Sequence, residues 1–205
     1  MIGAVWRVAY GAALICGLSA VAPVPCAIAC LGDEYQAANE IIVYPEGIEC
    51  DTFNIQRALD LVQPEVGVVY LWNGSGETYY LSWWLEIRQP GVTLRSYWGM
   101  VAKAKIQLPA YQYRPPDPGG EPWPVNDFYT AITASVPRIS IGYLHVDGGY
   151  PAGCLPGRHV DRGYALVSVG GADSIHIHDC LLENPAGLSA LCIKAPATNV
   201  LIENN

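Results

Sequence analysis

The sequence predicts an all-β solenoid, a right-handed parallel β-helix with one N-terminal capping helix. Three observations predict it: a strand phrase that recurs at a fixed offset, turn residues between successive strands, and one amphipathic helix ahead of an otherwise all-β body.

The phrase Ser174–Ile177 recurs at Asn199–Ile202, 25 residues on. At that offset Ala165–Leu166 falls on Ala190–Leu191, and Ala172 on Ala197. An earlier copy, Arg138–Ile141, lies 36 residues before Ser174–Ile177 and sets Leu144, Val146 and Asp147 on Cys180, Leu182 and Glu183. Gly91–Leu94 lies a further 47 residues back. The excess over a regular coil falls in two insertions, 148–163 and the proline-rich 109–124. One such coil cannot bury its apolar face alone, whereas stacked coils share a core. A leucine-rich repeat has a similar period, but its consensus is absent and β-branched residues dominate the aligned positions.

The elements follow in chain order. Arg7, the uncharged apolar run Val8–Val24 and Ala27-Ile28-Ala29 read as a signal peptide over 1–29, in preference to a retained membrane anchor. A lead-in over 30–50 carries a first strand, Glu40–Tyr44, stopped by Pro45. Ile55, Ala58, Leu59 and Val62 form one helical stripe over 52–63, with Asp51 or Thr52 to cap it and Pro64 to end it. Strands follow at 68–72, 78–81, 84–87, 91–94 and 104–108, separated by turn residues. The solenoid domain is expected over 51–205. No divergent closing coil follows Ile202, so the domain is expected to be incomplete at its C-terminus, or to self-associate through an open coil.

Composition narrows the functions. With 51% hydrophobic and 15% charged residues the chain can bury a core, which excludes a disordered protein. A net charge of −8 without any Lys/Arg-rich run argues against a nucleic-acid partner. Five of the seven cysteines lie beyond residue 29. Cys30 follows the small-residue triplet directly, where a bacterial lipoprotein carries its lipid anchor. Lipidation there would leave Cys50, Cys154, Cys180 and Cys192 to pair as disulfides in any of three connectivities. Otherwise Cys30 bonds Cys50 or stays free. The expected location is secreted, periplasmic or cell-surface.

The densest group of reactive side chains is His176, His178 and Asp179. With Ile175 and Ile177 facing the core, both imidazoles face outward, as acid and base or as metal ligands; a solvated strand face is the alternative. No metal site is assigned. Asp147, Asp161, Asp173, Asp179 and Glu183 are candidates for a glycosidase carboxylate pair, or simply turn residues. Trp84, Tyr111, Tyr113 and Trp123 are candidate sugar-stacking residues, against core packing as the plainer role. Alternation predicts that one ring of Trp83–Trp84 is buried and the other exposed. Asn73-Gly74-Ser75 matches a glycosylation acceptor, or a turn.

Asp51-Thr52, Ile55-Gln56 and Ala58-Leu59-Asp60, followed by Gly67–Leu71, Tyr79–Leu81, Pro90–Arg95 and Asn199–Asn205, resemble the entry helix and coil phrases of the pectate-lyase superfamily. The resemblance covers about 51–205. It implies a helix closing the first coil and a polysaccharide groove along one sheet; as a cofactor it allows a calcium ion, which the residues themselves do not make evident. The N-T-D, D-D, G-H-G and R-I-K motifs of the polygalacturonase-like members are absent. An aspartate calcium cluster with an arginine base is not readable either. Two functions are therefore expected: a polysaccharide lyase or glycoside hydrolase whose 205 residues here are inactive alone, or a non-catalytic glycan-binding or adhesion module.

Overall fold

Short β-branched and aromatic runs between turn residues form strands that pair only in parallel. The structure, a computed structural model, describes residues 39–47, 50–74, 76–97, 102–108, 130–149, 165–185 and 189–205. In order they form β1 (Glu40–Val43), α1 (Asp51–Leu61), β2 (Val68–Leu71), β3 (Thr78–Tyr80), β4 (Leu85–Ile87), β5 (Thr93–Ser96), β6 (Ala104–Gln107), β7 (Ile132–Ala134), β8 (Ser140–Gly142), β9 (Leu144–Asp147), β10 (Ala165–Gly170), β11 (Asp173–His178), β12 (Leu181–Glu183), β13 (Ser189–Lys194) and β14 (Thr198–Glu203). The first sheet runs β1-β2-β5-β8-β11-β14, the second β4-β7-β10-β13 and the third β3-β6-β9-β12. From β2 on, every third strand stacks on its predecessor, so each coil gives one strand to each sheet. The chain is an all-β solenoid of parallel sheets.

The register follows the repeat. Ile177 pairs with Ile202 and with Ile141, and Ile141 with Leu94, at the predicted offsets. One alignment is corrected. Ala165 pairs with Ser189 and Val167 with Leu191, one residue off the expected match. The corner from Lys194 to Thr198 holds one residue more than that from Gly170 to Asp173, and this restores the 25-residue offset in the first sheet.

Alternate residues of each strand point inward. Val69, Leu71, Leu94, Ile141, Ile175 and Ile177 from the first sheet meet Leu85, Ile87, Ile132 and Val167 from the second and Tyr79, Ile106 and Val146 from the third, all buried in one core. Two corners recur. Gly91, Arg138, Ser174 and Asn199 hold equivalent positions at the entry to first-sheet strands, and Tyr143, Asp179 and Asn204 hold equivalent positions after them; all seven have positive φ. Gly91 adopts this turn without strain, whereas its neighbour Glu65 lies so close that a Cβ at Gly91 would meet it at 2.3 Å.

α1 packs on β1 to β4, with Ile55, Ala58 and Leu59 buried together with Val62 as the stripe predicts. Its N-terminus differs from expectation. Cys50 is the N-cap residue and makes no side-chain capping bond. Asp51 is the first helical residue; its Oδ1 accepts the N–H groups of Glu46 and Gly47, and its Oδ2 that of Tyr80. Thr52 Oγ1 accepts the N–H of Ser82 at 2.7 Å. Both side chains fasten the helix to neighbouring segments instead of capping it.

The cysteine reading is corrected in part. Cys180 and Cys192 are free thiols, and Cys50 is joined to neither. Cys180 takes an inward position just before β12, with its Sγ 3.3 Å from the carbonyl of His178, so core packing occupies the thiol. Burial pushes its pKa up. Cys30 and Cys154 lie outside the described residues.

Candidate functional site

The predicted histidine pair lies on the outer face of the first sheet. Ile175 and Ile177 enter the core, so His176 and His178 project outward from β11. Their rings stack with centroids 4.2 Å apart. His178 Nδ1 meets Asp179 Oδ2 at 2.8 Å, and His176 Nε2 meets Glu203 Oε1, one coil on, at 2.9 Å. Hydrogen bonding from His178, with smaller help from Tyr143 and Asn204, holds the Asp179 carboxyl below the usual range against the pull of burial. Asp179 is also a positive-φ corner residue.

This face is a run of ring contacts. The Tyr143 ring meets His178 edge-on at 5.1 Å, and Arg95 lies over the Tyr143 ring at 4.9 Å and the Tyr70 ring at 6.0 Å. Tyr97 joins Tyr70 to Trp72, each contact 5.4 Å. Tyr70, Arg95, Gly142, His178 and Glu203 are in register across β2, β5, β8, β11 and β14. Gly142 lies directly beneath His178, where a Cβ would stand 2.5 Å from Nε2. Each imidazole is bound to its own carboxylate, and among the described residues no third metal ligand converges on the pair.

A second group forms on the third sheet, where the sequence suggests only isolated carboxylates. Tyr80, Gln107, Asp147 and Glu183 make one outward row across β3, β6, β9 and β12; Thr78, Lys105, His145 and Leu181 make the adjacent row. Lys105 Nζ meets Asp147 Oδ2 at 2.7 Å, and His145 Nε2 meets Glu183 Oε1 at 2.6 Å. Asn184 Nδ2 and the Gly149 N–H donate to Asp147 Oδ1. Asp147 is only 7% exposed. Burial pushes its carboxyl up, but the bonds from Lys105, Asn184 and Gly149 outweigh it and hold the pKa low. With Asp147 fully engaged, Glu183 and His145 are left as a hydrogen-bonded pair. The 36-residue repeat already sets Asp147 opposite Glu183; Lys105 enters at a 40-residue offset that no internal repeat reveals.

His145, Asp147 and Glu183 offer ligand atoms within 4.8 Å of one another. They do not fit the calcium ion that the resemblance allows. Calcium takes about six to eight oxygen ligands, whereas here one carboxylate is neutralised by an ammonium and the other bound to an imidazole.

The remaining candidates separate. Trp84 precedes β4, and both it and Trp83 are exposed, so the expected burial of one ring is corrected: these residues lie in the β3–β4 corner, where strand alternation does not reach. Tyr111, Tyr113, Trp123 and Asp161 lie outside the described residues. Both insertions leave a third-sheet strand, β6 or β9, and return to a second-sheet strand, β7 or β10, so they spring from the same corner of successive coils. Thr198 and Asn199 side chains donate to Asp173, a turn assignment. Asn73 is buried with its amide donating to the Ala102 carbonyl, which rules out glycosylation of the folded chain.

Compared with known proteins, the chain matches no family model, no curated protein and no solved structure. Among the described residues no helix is long and apolar enough to cross a membrane.

Proposed function

We propose that this chain is an exported protein that acts on an extracellular polysaccharide, built as a right-handed β-helix of the pectate-lyase type with α1 closing its first coil. The observation that carries the reading is the convergence of Lys105, His145, Asp147 and Glu183 beside the corner that sends out both long insertions. Loops on a rigid scaffold carry recognition, and a glycan lying across the strands would pass one rung about every 4.8 Å. Hydrolysis and elimination both need one group to take a proton and one to give it. Glu183 and His145 are that pair, and Lys105 supplies a cation on an otherwise acidic chain. The right hand is the one parallel crossovers take almost always. The pattern of residues 1–29 supports export.

A second reading, a non-catalytic glycan-binding module at the cell surface, is favoured by one observation: each charged group of the cluster already has a partner within it. Incubation of the full chain with a panel of polysaccharides separates the two. The enzyme reading expects unsaturated or reducing ends, and a loss of roughly 100-fold or more in Glu183→Gln or His145→Ala. Retention of a polysaccharide without any new ends leaves the binding module.

A further inference from the structure

We infer that the groove between α1 and the β3–β4 corner is a binding subsite for a neutral sugar ring. This rests on the polysaccharide reading but uses other residues. Phe53, Trp83 and Trp84 are 55%, 51% and 36% exposed and gather at one spot, three aromatic rings lining one groove. The two indoles lie 4.1 Å apart at a 32° tilt and, with Phe53, line a cavity of about 330 Å³. That volume suits a small ligand, at the lower end of the usual range of about 300–1,000 Å³.

The polar rim is held rigid. Gln56 makes paired bonds with the Glu86 backbone, Nε2 to the carbonyl at 2.9 Å and Oε1 from the N–H at 2.8 Å. Thr52 Oγ1 holds the N–H of Ser82, which fixes the bend that carries the indoles. Arg88 is committed to Glu86, through Nε and Nη2, and to Asp60. The rim therefore presents no uncommitted cation, which disfavours an anionic ligand. What it offers is aromatic faces framed by the Thr52 and Ser82 hydroxyls and the Glu86 carboxylate, whose remaining lone pairs can accept from a ligand's hydroxyls. A sugar ring has the matching chemistry, an apolar C–H face and an equatorial belt of hydroxyls. A purely apolar occupant would leave the rim's polar groups facing it unused.

The position extends the proposed track. The β3–β4 corner is the first-coil counterpart of the corners that carry the insertions after β6 and β9. A chain running along the solenoid from the Glu183 cluster towards α1 arrives at these rings.

The test is tryptophan fluorescence of the full chain titrated with neutral tetrasaccharides of β-glucan, xylan, mannan and galactan, in wild type, Trp84→Ala, Trp83→Ala and Trp84→Tyr. At least one tetrasaccharide should give a saturable change. Its affinity should fall about tenfold or more in either Ala variant and stay near wild type in Trp84→Tyr, while Glu183→Gln is assayed for cleavage alone. A folding defect in an Ala variant is separated by Trp84→Tyr, which keeps a ring in place. Absence of any saturable change in wild type, or wild-type affinity in both Ala variants, overturns the subsite. If no polysaccharide is cleaved yet the indole-dependent binding is present, the subsite stands and the enzyme reading falls. If polysaccharide is cleaved at the Glu183 pair with no effect of the tryptophans, the subsite falls alone.

Discussion

The Asp51 carboxylate accepts the backbone N–H of Tyr80 at 2.9 Å and so joins the first turn of α1 to the first strand of the third sheet. Its other oxygen accepts the N–H groups of Glu46 and Gly47, at 2.6 and 3.0 Å. One buried side chain thus serves three donors that no strand partner reaches. Asp51→Ala would strip all three. Each lost partner costs about 1–3 kcal/mol when the donor stays buried, and solvent relieves part of it here. The expected loss is about 3 kcal/mol, read as a lower urea midpoint at unchanged slope. A midpoint equal to wild type would contradict this role.

Leu59 is the residue of α1 that most directly tests whether the helix belongs to the core. It is completely buried, beside Ile55 and Val62. Leu59→Asp removes its apolar burial and leaves a carboxylate without a partner, so stability should fall by about 4 kcal/mol. Thermal unfolding at an unchanged temperature would show that α1 is only loosely attached.

The coil was legible in the sequence because its signal is repeated. Ile139, Ile175 and Val200 must each face the same core, so an apolar phrase recurs whatever the corners do. Corner lengths carry no such constraint, and this is why the expected match of Leu166 to Leu191 slipped by one residue. Alternation failed at Trp83 and Trp84 for a related reason: it describes a pleated strand, and these residues belong to a bend. The site was legible in fragments. Outward projection of His176 and His178 follows from the inward isoleucines, and Asp147 opposite Glu183 follows from the repeat. Lys105 reaches Asp147 only across an insertion, and Glu203 reaches His176 only through the stacking of β14 on β11. Side chains brought together by rung stacking leave no local spacing to read.

Gly142 should be intolerant of a side chain because of His178. A Cβ would stand 2.5 Å from Nε2 and 2.6 Å from Cε1. The ring has little freedom to yield, since His176 stacks on it, Tyr143 meets it edge-on and Asp179 holds Nδ1. Gly142→Ala should cost about 2 kcal/mol. Adding His178→Ala should recover much of that, giving a coupling energy of about 1 kcal/mol or more in a double-mutant cycle. Additive losses would place the strain elsewhere.

Lys105 determines how the third-sheet cluster responds to acid. The folded pKa of Asp147 lies below its ordinary value of 3.8, because hydrogen bonds from Lys105, Asn184 and Gly149 outweigh burial. A depressed carboxylate contributes stability that is present above the unfolded pKa and lost as pH falls through the folded one. Lys105→Met keeps Asp147 buried but removes the cation that favours its charge. At pH 7 the variant should be less stable by about 2 kcal/mol, since a partly buried carboxylate is left without its counter-charge. As pH falls through the carboxylate range, Asp147 takes up a proton in both proteins and the ion pair ceases to matter in either. The stability gap should therefore be widest near neutrality and narrow as pH falls below 3.8, closing only below the depressed folded pKa. Melting temperatures of the two proteins measured across that range give the answer. A gap that does not change with pH would mean that Lys105 acts through packing of its aliphatic stem and not through the charge of Asp147.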